Sequence, residues 1–455
     1  MNSFINDEKI LSIIENTKFS ESKAEEIIQK ALALKGLGLE EAAMLLSCPD
    51  DEYLDKIFAA AGKVKSLIYG RRLVFFAPLY ISSFCVNNCL YCGFRRDNKD
   101  IARRRLSIAE VLKEVNLLES FGHKRLLVVA AEDKDINADY LSEVISAIYA
   151  AKNGRGEIRR VNINCAPLDL QGFKKLKKCG IGTYQLFQET YHNNTYNKMH
   201  PCGPKSDFMK RLYAMDTAQE AGIDDVGIGA LFGLYDFRFE VLSLLEHCRY
   251  LEDKFGAGPH TISVPRIEPA LNSLVSDNPP YAVSDIDFKK IIAVLRLAVP
   301  YTGLILSTRE KSSLRNELLY LGISQVSAGS RTNPGGYSSS GDGQFCLGDN
   351  RTLKEVVMDA AEAGFIASFC TACYRNKRTG ADFMKLAKPG HIQEFCLSNA
   401  ILTLKEYLLD YTDNGQNKAS ALLDAEAANI KDGNMRKITL GRLKRLERGE
   451  RDLYF

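Results

Sequence analysis

Short apolar runs rich in β-branched residues alternate with amphipathic stretches through the middle of the chain. Eight runs have the length and composition of β-strands: Leu73–Ser82, Arg125–Glu132, Ile158–Ala166, Thr183–Thr190, Asp225–Leu234, Thr261–Ile267, Gly303–Thr308 and Gln325–Ser330. Helical patterns follow most of them, and the first, Ser107–Ser120, opens with the capping-box pair Ser107 and Glu110. Eight strand–helix alternations predict an α/β protein with a (β/α)8 barrel. A doubly wound parallel sheet is the structural alternative.

The remaining helical patterns predict the domain organisation. In the middle part they cover Tyr140–Ala151, Leu170–Lys178, Asp207–Ala221, Phe239–Lys254, Phe288–Ala298, Ser313–Leu321 and Leu353–Ala363. We therefore expect an N-terminal helical extension over residues 1–70, a barrel over residues 71–364 and a C-terminal helical domain over residues 365–455. Residues 331–351 are rich in Gly and Ser and are expected to form a loop before the last barrel helix.

The composition is that of an ordinary globular protein. Hydrophobic residues make up 45% and charged residues 26% of the chain, which excludes a disordered chain, a collagen-like fibre and a membrane bundle. The 60 Lys and Arg nearly balance the 57 Asp and Glu, so we expect no nucleic-acid partner. There is no basic segment followed by an apolar run at the start, and no apolar run approaches ~18 residues. We therefore expect a cytoplasmic protein without membrane association.

Cysteines are the unusual part of this composition. The chain has 12, and in a reducing compartment clustered cysteines more often bind metal than form disulfides. Cys85, Cys89 and Cys92, the first triad, have C-x3-C-x2-C spacing and directly follow the first predicted strand. Three thiolates are one ligand short of a four-iron four-sulfur cluster, which leaves one iron open to a small chelating ligand. A zinc site and unligated cysteines are the alternatives.

A second triad lies in the C-terminal part. Cys370, Cys373 and Cys396 have C-x2-C-x22-C spacing, which favours a second iron–sulfur cluster. A redox-active pair is expected at a strand-to-helix junction of a small unit, and zinc would lack one ligand, but both remain alternatives. His260 begins the sixth predicted strand and is a candidate metal ligand, with a core histidine as the other interpretation.

The two triads are expected at opposite ends of the barrel. The first follows a strand and so belongs at the carboxyl end of the strands, whereas the second follows the last barrel helix. Roughly 17–20 Å of strand separates the two ends, which is too far for one reaction centre. The pattern predicts two sites joined through the barrel interior, with a product that passes between them.

The first triad resembles the signature of the radical S-adenosylmethionine (SAM) superfamily. The match is the form C-x3-C-x-ϕ-C with the aromatic Tyr91, which we count among the cofactor-binding residues. The resemblance implies that SAM chelates the open iron and that an electron from the cluster cleaves SAM to methionine and a 5′-deoxyadenosyl radical. It also implies a closed barrel that keeps water from the radical.

Within this superfamily, nearly the whole chain after about residue 60 resembles the HydG family of [FeFe]-hydrogenase maturation enzymes. The resemblance is carried by CVNNCLYCGFRR, GIGTYQLFQETYH, DDVGIGALFGLYDFRFE, GPHTISVPRIEPA, VSAGSRTNPGGY and CTACYRNKRTGADFMKLAKPGHIQEFC. The last segment distinguishes the chain from 2-iminoacetate synthase, a thiazole-pathway relative that resembles the barrel but lacks this tail.

The resemblance implies a tyrosine lyase with SAM and two 4Fe-4S clusters as cofactors. L-tyrosine is cleaved between Cα and Cβ to p-cresol and dehydroglycine, which becomes carbon monoxide and cyanide on an extra iron at the second cluster. In that family an added amino acid and a histidine link this iron to the cluster, and the histidine corresponds to His260. The implied partners are a low-potential electron donor and the hydrogenase maturation machinery downstream.

Candidate SAM contacts lie at the ends of predicted strands. Glu189 ends the fourth run, where a carboxylate could bind the ribose hydroxyls or the ammonium of SAM, or could be an ordinary surface residue. Ala130 and Glu132 end the second run, in the region where relatives contact the SAM ammonium.

Candidate tyrosine contacts end the eighth run. The small residues Ser327 and Ser330 allow close approach of the backbone to a substrate. Arg331 is predicted to hold the tyrosine carboxylate with a bidentate fork, and a solvated loop arginine is the alternative.

Two other functions are weighed against this one. The first is a lyase that stops at dehydroglycine, as in thiazole synthesis, against which the second triad and His260 argue. The second is a non-catalytic iron–sulfur scaffold or electron carrier, against which the open coordination position of the first triad argues.

Overall fold

Strands β1 to β8 form a closed parallel barrel in the computed structural model, which describes residues 3–49, 52–412 and 418–455. The strands are β1 (Arg72–Ser82), β2 (Arg125–Ala130), β3 (Arg160–Asn164), β4 (Tyr184–Gln185), β5 (Val226–Gly229), β6 (Thr261–Ser263), β7 (Gly303–Leu306), β8 (Gln325–Ser327) and β9 (Ile366–Ser368). Neighbours pair in chain order, and β1 closes the ring by pairing with both β2 and β8. This closure confirms the predicted (β/α)8 barrel and excludes the doubly wound sheet.

Helices surround the barrel and form both ends of the chain. They are α1 (Asp7–Asn16), α2 (Glu21–Leu32), α3 (Leu39–Leu46), α4 (Glu52–Tyr69), α5 (Ile108–Ser120), α6 (Ala138–Ala150), α7 (Leu170–Lys178), α8 (Asn193–Met199), α9 (Phe208–Leu212), α10 (Ala214–Glu220), α11 (Phe237–Phe255), α12 (Leu274–Asp277), α13 (Asp285–Ala298), α14 (Ser312–Leu321), α15 (Leu353–Glu362), α16 (Ala372–Arg375), α17 (Gly380–Ala387), α18 (Ile392–Tyr411), α19 (Lys418–Ala428) and α20 (Gly433–Glu447). Within the described ranges, none of these is both long and apolar enough to cross a membrane.

The longest strand shows how the barrel separates its core from its interior. Successive side chains of β1 point to opposite faces. One set packs in the hydrophobic core between barrel and helices: Leu73, Phe75, Ala77, Leu79 and Ile81. The other set lines internal cavities: Val74, Phe76, Pro78 and Tyr80. Both faces are therefore buried, which explains why the run reads as continuously apolar.

Local sequence signals set several helix boundaries. Helix α5 begins with the predicted capping box, in which Ser107 Oγ accepts from the amide of Glu110 and the Glu110 carboxylate accepts from the amide of Ser107. The helix predicted over Asp207–Ala221 is instead two helices, α9 and α10, because Tyr213 between them departs from helical geometry.

The N-terminal helices α1 to α4 pack mainly on the outside of the barrel, against α11 and α13. The turn between α2 and α3 rests on the end of α13, where the amide of Leu37 donates to the carbonyl of Ala298. Gly36 has φ +66° in this turn, and a Cβ there would lie 2.7 Å from the same carbonyl oxygen. Glycine is therefore required for this close approach.

Strand β9 is a departure from the helical pattern expected for residues 365–455. It pairs in parallel with Arg72–Val74, and Val74 pairs with both Gln325 of β8 and Ser368 of β9. β9 therefore occupies the edge of β1 that β2 leaves free at its amino end. A three-residue run is too short for a periodic signal, so only the tertiary pairing defines it. Helix α18 packs across β9 and carries α19 and α20.

Candidate active site

The first triad lies beside a large cavity at the carboxyl end of the strands, the upper cavity, of about 210 Å³. Nine predicted site residues line it: Cys85, Cys89, Tyr91, Cys92, Ala130, Glu132, Glu189, Ser327 and Ser330. They come from the ends of β1, β2, β4 and β8, the edge at which barrel enzymes place their active sites. The structure therefore brings together the predicted first-triad, SAM and serine residues.

Hydrogen bonds hold the loop that carries the first triad. The guanidinium of Arg103 donates to four backbone carbonyl oxygens of this loop region, at distances of 2.6–3.0 Å: those of Ser83, Phe94, Arg95 and Asn98. The Asn98 side chain also donates to the carbonyl of Gly93 at 2.8 Å. Charge-assisted hydrogen bonds thus hold the backbone of this loop. From the sequence, Arg103 belongs to a basic group that predicts a solvated surface or a docking face for an electron donor, so its contacts with the loop were not expected.

Burial governs the protonation of the first triad. It raises the pKa of Cys89 to about 12, and nearby Cys92 and Cys85 act in the same direction against Lys205. Burial also raises the pKa of Cys92, with Cys85 adding to it. These thiols are therefore protonated in the protein alone, and they release protons on binding a cationic cluster.

Tyr91 has a fixed orientation beside the triad. Its hydroxyl lies 2.8 Å from Nε2 of His200, whose Nδ1 lies 2.8 Å from the carbonyl oxygen of Tyr196. Burial holds the pKa of His200 well below its usual range, so the ring is neutral. A neutral ring must donate from Nδ1 to the carbonyl, which makes Nε2 the acceptor of the Tyr91 hydroxyl proton. The aromatic ring is thereby kept against the upper cavity.

Glu189 is a strained acidic residue at the cavity wall. Its φ of +72° lies in the left-handed region. This conformation is strained for a residue with a Cβ, and strained residues are often found at functional sites. Oε1 accepts from Lys205 Nζ at 2.6 Å and from Arg211 Nη2 at 3.3 Å. Burial opposes ionisation, but Lys205 and Arg211 outweigh it and lower the pKa of Glu189. Among the described residues, Oε2 accepts no hydrogen bond, so it remains available to a ligand.

Glu132 mainly braces the triad loop. Its Oε2 accepts from the side-chain amide of Asn87 at 2.7 Å, and its carbonyl accepts from the amide of Val86 at 2.9 Å. Asn87 Oδ1 in turn accepts from the amide of Lys205 at 2.8 Å. The small Ala130 leaves open space at the adjacent wall, which it also lines.

The eighth strand supplies two of its three predicted contacts. Ser327 and Ser330 line the upper cavity, and the buried Ser330 hydroxyl has no hydrogen-bond partner among the described residues. Arg331, by contrast, is exposed, does not line the cavity, and donates to the carbonyl of Ser330. The structure therefore does not bring Arg331 to the other predicted residues.

Arg309 occupies the position that the sequence had suggested for Arg331. It follows β7, lines the upper cavity, and its Cζ lies 3.3 Å from the ring centroid of Phe345. Within the described residues its guanidinium makes one hydrogen bond, a long contact of 3.5 Å to the carbonyl of Arg266. Most of its donors are therefore available for an anionic ligand. A charged residue directly after a barrel strand was the signal that could have revealed it.

The Gly/Ser-rich segment 331–351 is a loop, as expected, and it covers the first triad. Its Gln344 accepts from the Tyr80 hydroxyl at 2.9 Å, and its side-chain amide lies 3.5 Å from Sγ of Cys92. The Gln344 carbonyl accepts from the amide of Gly93, where a Cβ would lie 2.9 Å from that oxygen. Loop and triad therefore form one wall of the cavity.

The second triad lies at the opposite end of the barrel, around a smaller lower cavity of about 40 Å³. Cys370 and Cys373 flank the start of α16, and Cys396 lies in the first turns of α18. All three line the lower cavity together with residues at the amino ends of the strands: Arg72, Arg125, Arg160, His260, Gly303 and Gln325. Burial raises the pKa of Cys373 to about 12, and nearby Cys396 and Cys370 act in the same direction.

His260 faces the same cavity. Its side chain is 15% exposed, and its buried Nδ1 has no hydrogen-bond partner among the described residues. A carboxylate oxygen of Asp225 lies 3.8 Å from this nitrogen. Burial lowers the pKa of His260 to about 4, with Arg160 and Arg125 acting in the same direction and Asp225 against them. The imidazole is therefore neutral and keeps a free ring nitrogen, which is what a metal ion requires.

Only a thin partition separates the two cavities. On three strands, residues two positions apart line different cavities: Val74 and Phe76, Gly303 and Ile305, and Gln325 and Ser327 line the lower and upper cavity respectively. Residues at that spacing on one face of a strand are about 7 Å apart. One layer of side chains therefore divides the cavities, although the triads lie at opposite ends.

The donor sets fit iron–sulfur clusters. Within the described parts of the chain, no group of three or more His, Cys, Asp or Glu side chains is placed to hold one metal ion. The thiolates of a four-iron cluster bind different iron atoms, so they need not converge on one point. Each cavity offers three thiols and a remaining open side, which suits a cluster with one unligated iron.

Two family models match adjoining parts of the chain. Residues 79–248 match the model described as the radical SAM superfamily. Residues 263–366 match the model described as the biotin and thiamin synthesis associated domain. Together they extend from within β1 to the first residue of β9, and residues 249–262 lie in neither match.

Sequence and structure relatives extend this match. The 2-iminoacetate synthase of Escherichia coli strain K12 is 31% identical over 315 residues, which cover 69% of this chain and 81% of that protein. A crystal structure of HydG, described as a maturase of the [FeFe]-hydrogenase, is 52% identical with full coverage of both chains and a TM-score of 0.97. The HydG maturase of Carboxydothermus hydrogenoformans is 44% identical over 96% of each chain, with a TM-score of 0.83.

Proposed function

This chain belongs to the HydG family of radical SAM enzymes, and from this premise we propose that it is a tyrosine lyase that makes carbon monoxide and cyanide for the [FeFe]-hydrogenase active site. L-tyrosine is cleaved between Cα and Cβ to p-cresol and dehydroglycine at the upper cavity. Dehydroglycine then gives carbon monoxide, hydrogen cyanide and water at the lower cavity, where an extra iron collects the first two. The observation that carries the proposal is the full-length similarity to HydG, together with a cysteine triad at each end of one barrel.

At the upper cavity, Cys85, Cys89 and Cys92 are the proposed ligands of the first 4Fe-4S cluster. With SAM bound, this cluster would supply the 5′-deoxyadenosyl radical chemistry by which hydrogen is taken from tyrosine. Tyr91 packs beside the cluster through its bond to His200. The loop 331–351 shields this wall from water.

Three further residues are proposed contacts of SAM. The free Oε2 of Glu189 is placed to accept hydrogen bonds from the ribose hydroxyls or the ammonium of SAM. Ala130 gives the room for that group at the cavity wall, and Glu132 keeps the triad loop in register through Asn87.

The tyrosine contacts are proposed at the other side of the cavity. We assign the carboxylate-binding role predicted for Arg331 to Arg309, because Arg309, unlike Arg331, lines the cavity and has free donors. Ser327 and Ser330 line the same region, and the unpartnered Ser330 hydroxyl can bind the amino acid group of the substrate.

At the lower cavity, Cys370, Cys373 and Cys396 are the proposed ligands of the second 4Fe-4S cluster, and His260 Nδ1 is the proposed ligand of the extra iron. A low-potential electron donor and downstream hydrogenase maturation proteins are the proposed partners. The proposed domains are residues 1–70, 71–364 and 365–455, of which the last completes the lower cavity.

Product analysis tests this function. The protein is reconstituted anaerobically with iron and sulfide, supplied with SAM, L-tyrosine and a reductant, and assayed for p-cresol, carbon monoxide and cyanide. We expect all three products. Absence of p-cresol would reject tyrosine lyase activity. p-Cresol without carbon monoxide or cyanide would favour a lyase that ends at dehydroglycine, as the similarity to 2-iminoacetate synthase would allow.

A further inference from the structure

Two arginines of the lower cavity have unused hydrogen-bond donors. Arg72 and Arg125 begin β1 and β2 and both line this cavity. Nε of each is buried and has no partner among the described residues. The Arg72 guanidinium makes no hydrogen bond to any described residue, and its Cζ lies 5.3 Å above the ring of Tyr69. Arg125 is 6% exposed and uses one nitrogen, Nη1, to donate to the carbonyl of Cys370 at 2.7 Å.

The third arginine of the lower cavity, by contrast, has polar partners for its guanidinium. Arg160 donates to Asn162, Thr183 and Asp225, and its 3.1 Å contact with Asp225 pairs it with a carboxylate. No comparable carboxylate within the described residues pairs with Arg72 or Arg125. Cations withdrawn from water without an anion and with unmade hydrogen bonds are costly, so a cavity that holds the buried Arg125 and the half-buried Arg72 favours an anion.

The second triad accounts for part of this charge only. Three thiolates on a doubly positive four-iron core leave one net negative charge, which balances one guanidinium. The second guanidinium still lacks an anion, and neither acquires the oxygen acceptors that a planar guanidinium fork binds best.

We propose that Arg72 and Arg125 form a binding site for the carboxylate group of a small organic acid beside the second triad. The inference rests on the proposed function and deepens it, because dehydroglycine is such an acid and carries its carboxylate out of the upper cavity. One layer of side chains separates the cavities next to Val74 and Gln325. A free amino acid that enters from solvent has the same carboxylate and is the other source of this ligand chemistry.

Equilibrium dialysis of the reconstituted full-length holoenzyme tests the site. SAM and L-tyrosine without reductant fill the upper cavity and prevent turnover. The probes are radiolabelled acetate, glycine and glycinamide, which separate the carboxylate from the amine. We expect acetate and glycine to bind and glycinamide not to bind. Binding of neither carboxylate, or equal binding of glycinamide, would overturn the proposal. Glycine binding much more tightly than acetate would identify an amino acid as the preferred source of the carboxylate.

Matched variants locate the site. Arg72→Gln and Arg125→Gln are each expected to weaken acetate binding on the order of tenfold or more, with partial recovery in Arg72→Lys. Arg71→Gln makes the same change one residue away, at an exposed side chain outside the cavity, and should bind as the parent does. Binding is scored per second cluster, counted by electron paramagnetic resonance. Unchanged binding in both Arg72→Gln and Arg125→Gln would overturn the proposal. If the variants lose the second cluster and the parent binds no carboxylate, the two arginines act only as counter-ions of the cluster, which would also overturn it.

Leakage of the intermediate gives an independent readout. Dehydroglycine that escapes takes up water and releases ammonia to give glyoxylate. We expect Arg72→Gln to release more glyoxylate per p-cresol than the parent, and Arg71→Gln to release the same amount. p-Cresol formation in the same samples reports the proposed function separately, so its failure is distinguishable from failure of the carboxylate site.

Discussion

The two ends of the barrel present the same thiol motif in different surroundings. The upper cavity, about 210 Å³, is lined by aromatic and small residues, and its acidic Glu189 is held between Lys205 and Arg211. The lower cavity, about 40 Å³, is lined by three arginines and a neutral histidine and is closed by the C-terminal helices. The upper end suits a nucleoside and an amino acid, and the lower end suits a small anion and a metal ion. With the proposed ligands, the difference between the two ends comes from the residues that surround the cysteines, since each cavity has three cysteines.

Removing the first triad gives the largest expected effect. Cys85→Ala/Cys89→Ala/Cys92→Ala should abolish p-cresol, and with it carbon monoxide, by roughly a thousandfold or more, because the cofactor carries the chemistry. Cys346→Ala, an exposed cysteine of the covering loop, is the control and should keep both products. If the triple variant still formed carbon monoxide from tyrosine, the upper site would not have to act before the lower site, which would contradict the account.

Arg309→Met sharpens the description of the upper end. Loss of the charged fork should lower kcat/KM for tyrosine by about 10–100-fold, as for a charge-assisted bidentate contact. Steady-state p-cresol kinetics measure this effect. Arg331→Met is the matched control and should change kcat/KM by less than about twofold, since Arg331 is exposed. A larger effect in Arg331→Met than in Arg309→Met would return the role to Arg331.

Arg103→Met should weaken cluster binding at the upper end of the barrel only. It removes four bonds from the guanidinium to carbonyls around the first triad, so we expect first-cluster occupancy to fall several-fold while the second cluster is retained. Iron analysis and cluster-specific electron paramagnetic resonance measure the two occupancies. Arg105→Met, which breaks a surface pair with Asp135, should leave both unchanged. Equal loss of both clusters in Arg103→Met would show a general folding defect.

Glu240→Gln is expected to have the smallest effect, on pH-dependent stability. Burial raises the pKa of Glu240 to about 8, against hydrogen bonds from Thr190 and Tyr191. The folded protein therefore binds more protons than the unfolded chain between pH 4.5 and about 8, so stability falls as pH rises through that window. Tm of the parent should fall by roughly 1–3 °C more than Tm of the variant between pH 5 and 8. Identical pH profiles would contradict the assignment.

Periodicity and cysteine spacing were enough to predict the barrel and the placement of both triads. Seven of the eight predicted runs contain a whole barrel strand, and the first misses only Arg72, the first residue of β1. The topology correctly put Cys370 and His260 at one end. Strand β9 was not predicted, because three residues are too few to show a periodic pattern. They form a strand only by pairing with β1.

The direction in which individual side chains point could not be predicted from the sequence. Arg309 and Arg331 both follow strands, yet the path of each loop, set by tertiary contacts, turns one into the cavity and the other to solvent. The contacts of Arg103 with backbone carbonyls could not be predicted either. A run of basic residues is typical of a solvated surface, and the sequence does not show its backbone partners.

The ratio of carbon monoxide to p-cresol in Cys370→Ser/Cys373→Ser tests most directly whether the two ends are separate sites. The parent and the variant are reconstituted side by side, and both products are measured from the same tyrosine sample. Separate sites predict that p-cresol persists while the ratio falls to background, since only the lower cavity has lost its ligands. A ratio equal to that of the parent, or a parallel loss of both products with the first cluster intact, would contradict the account.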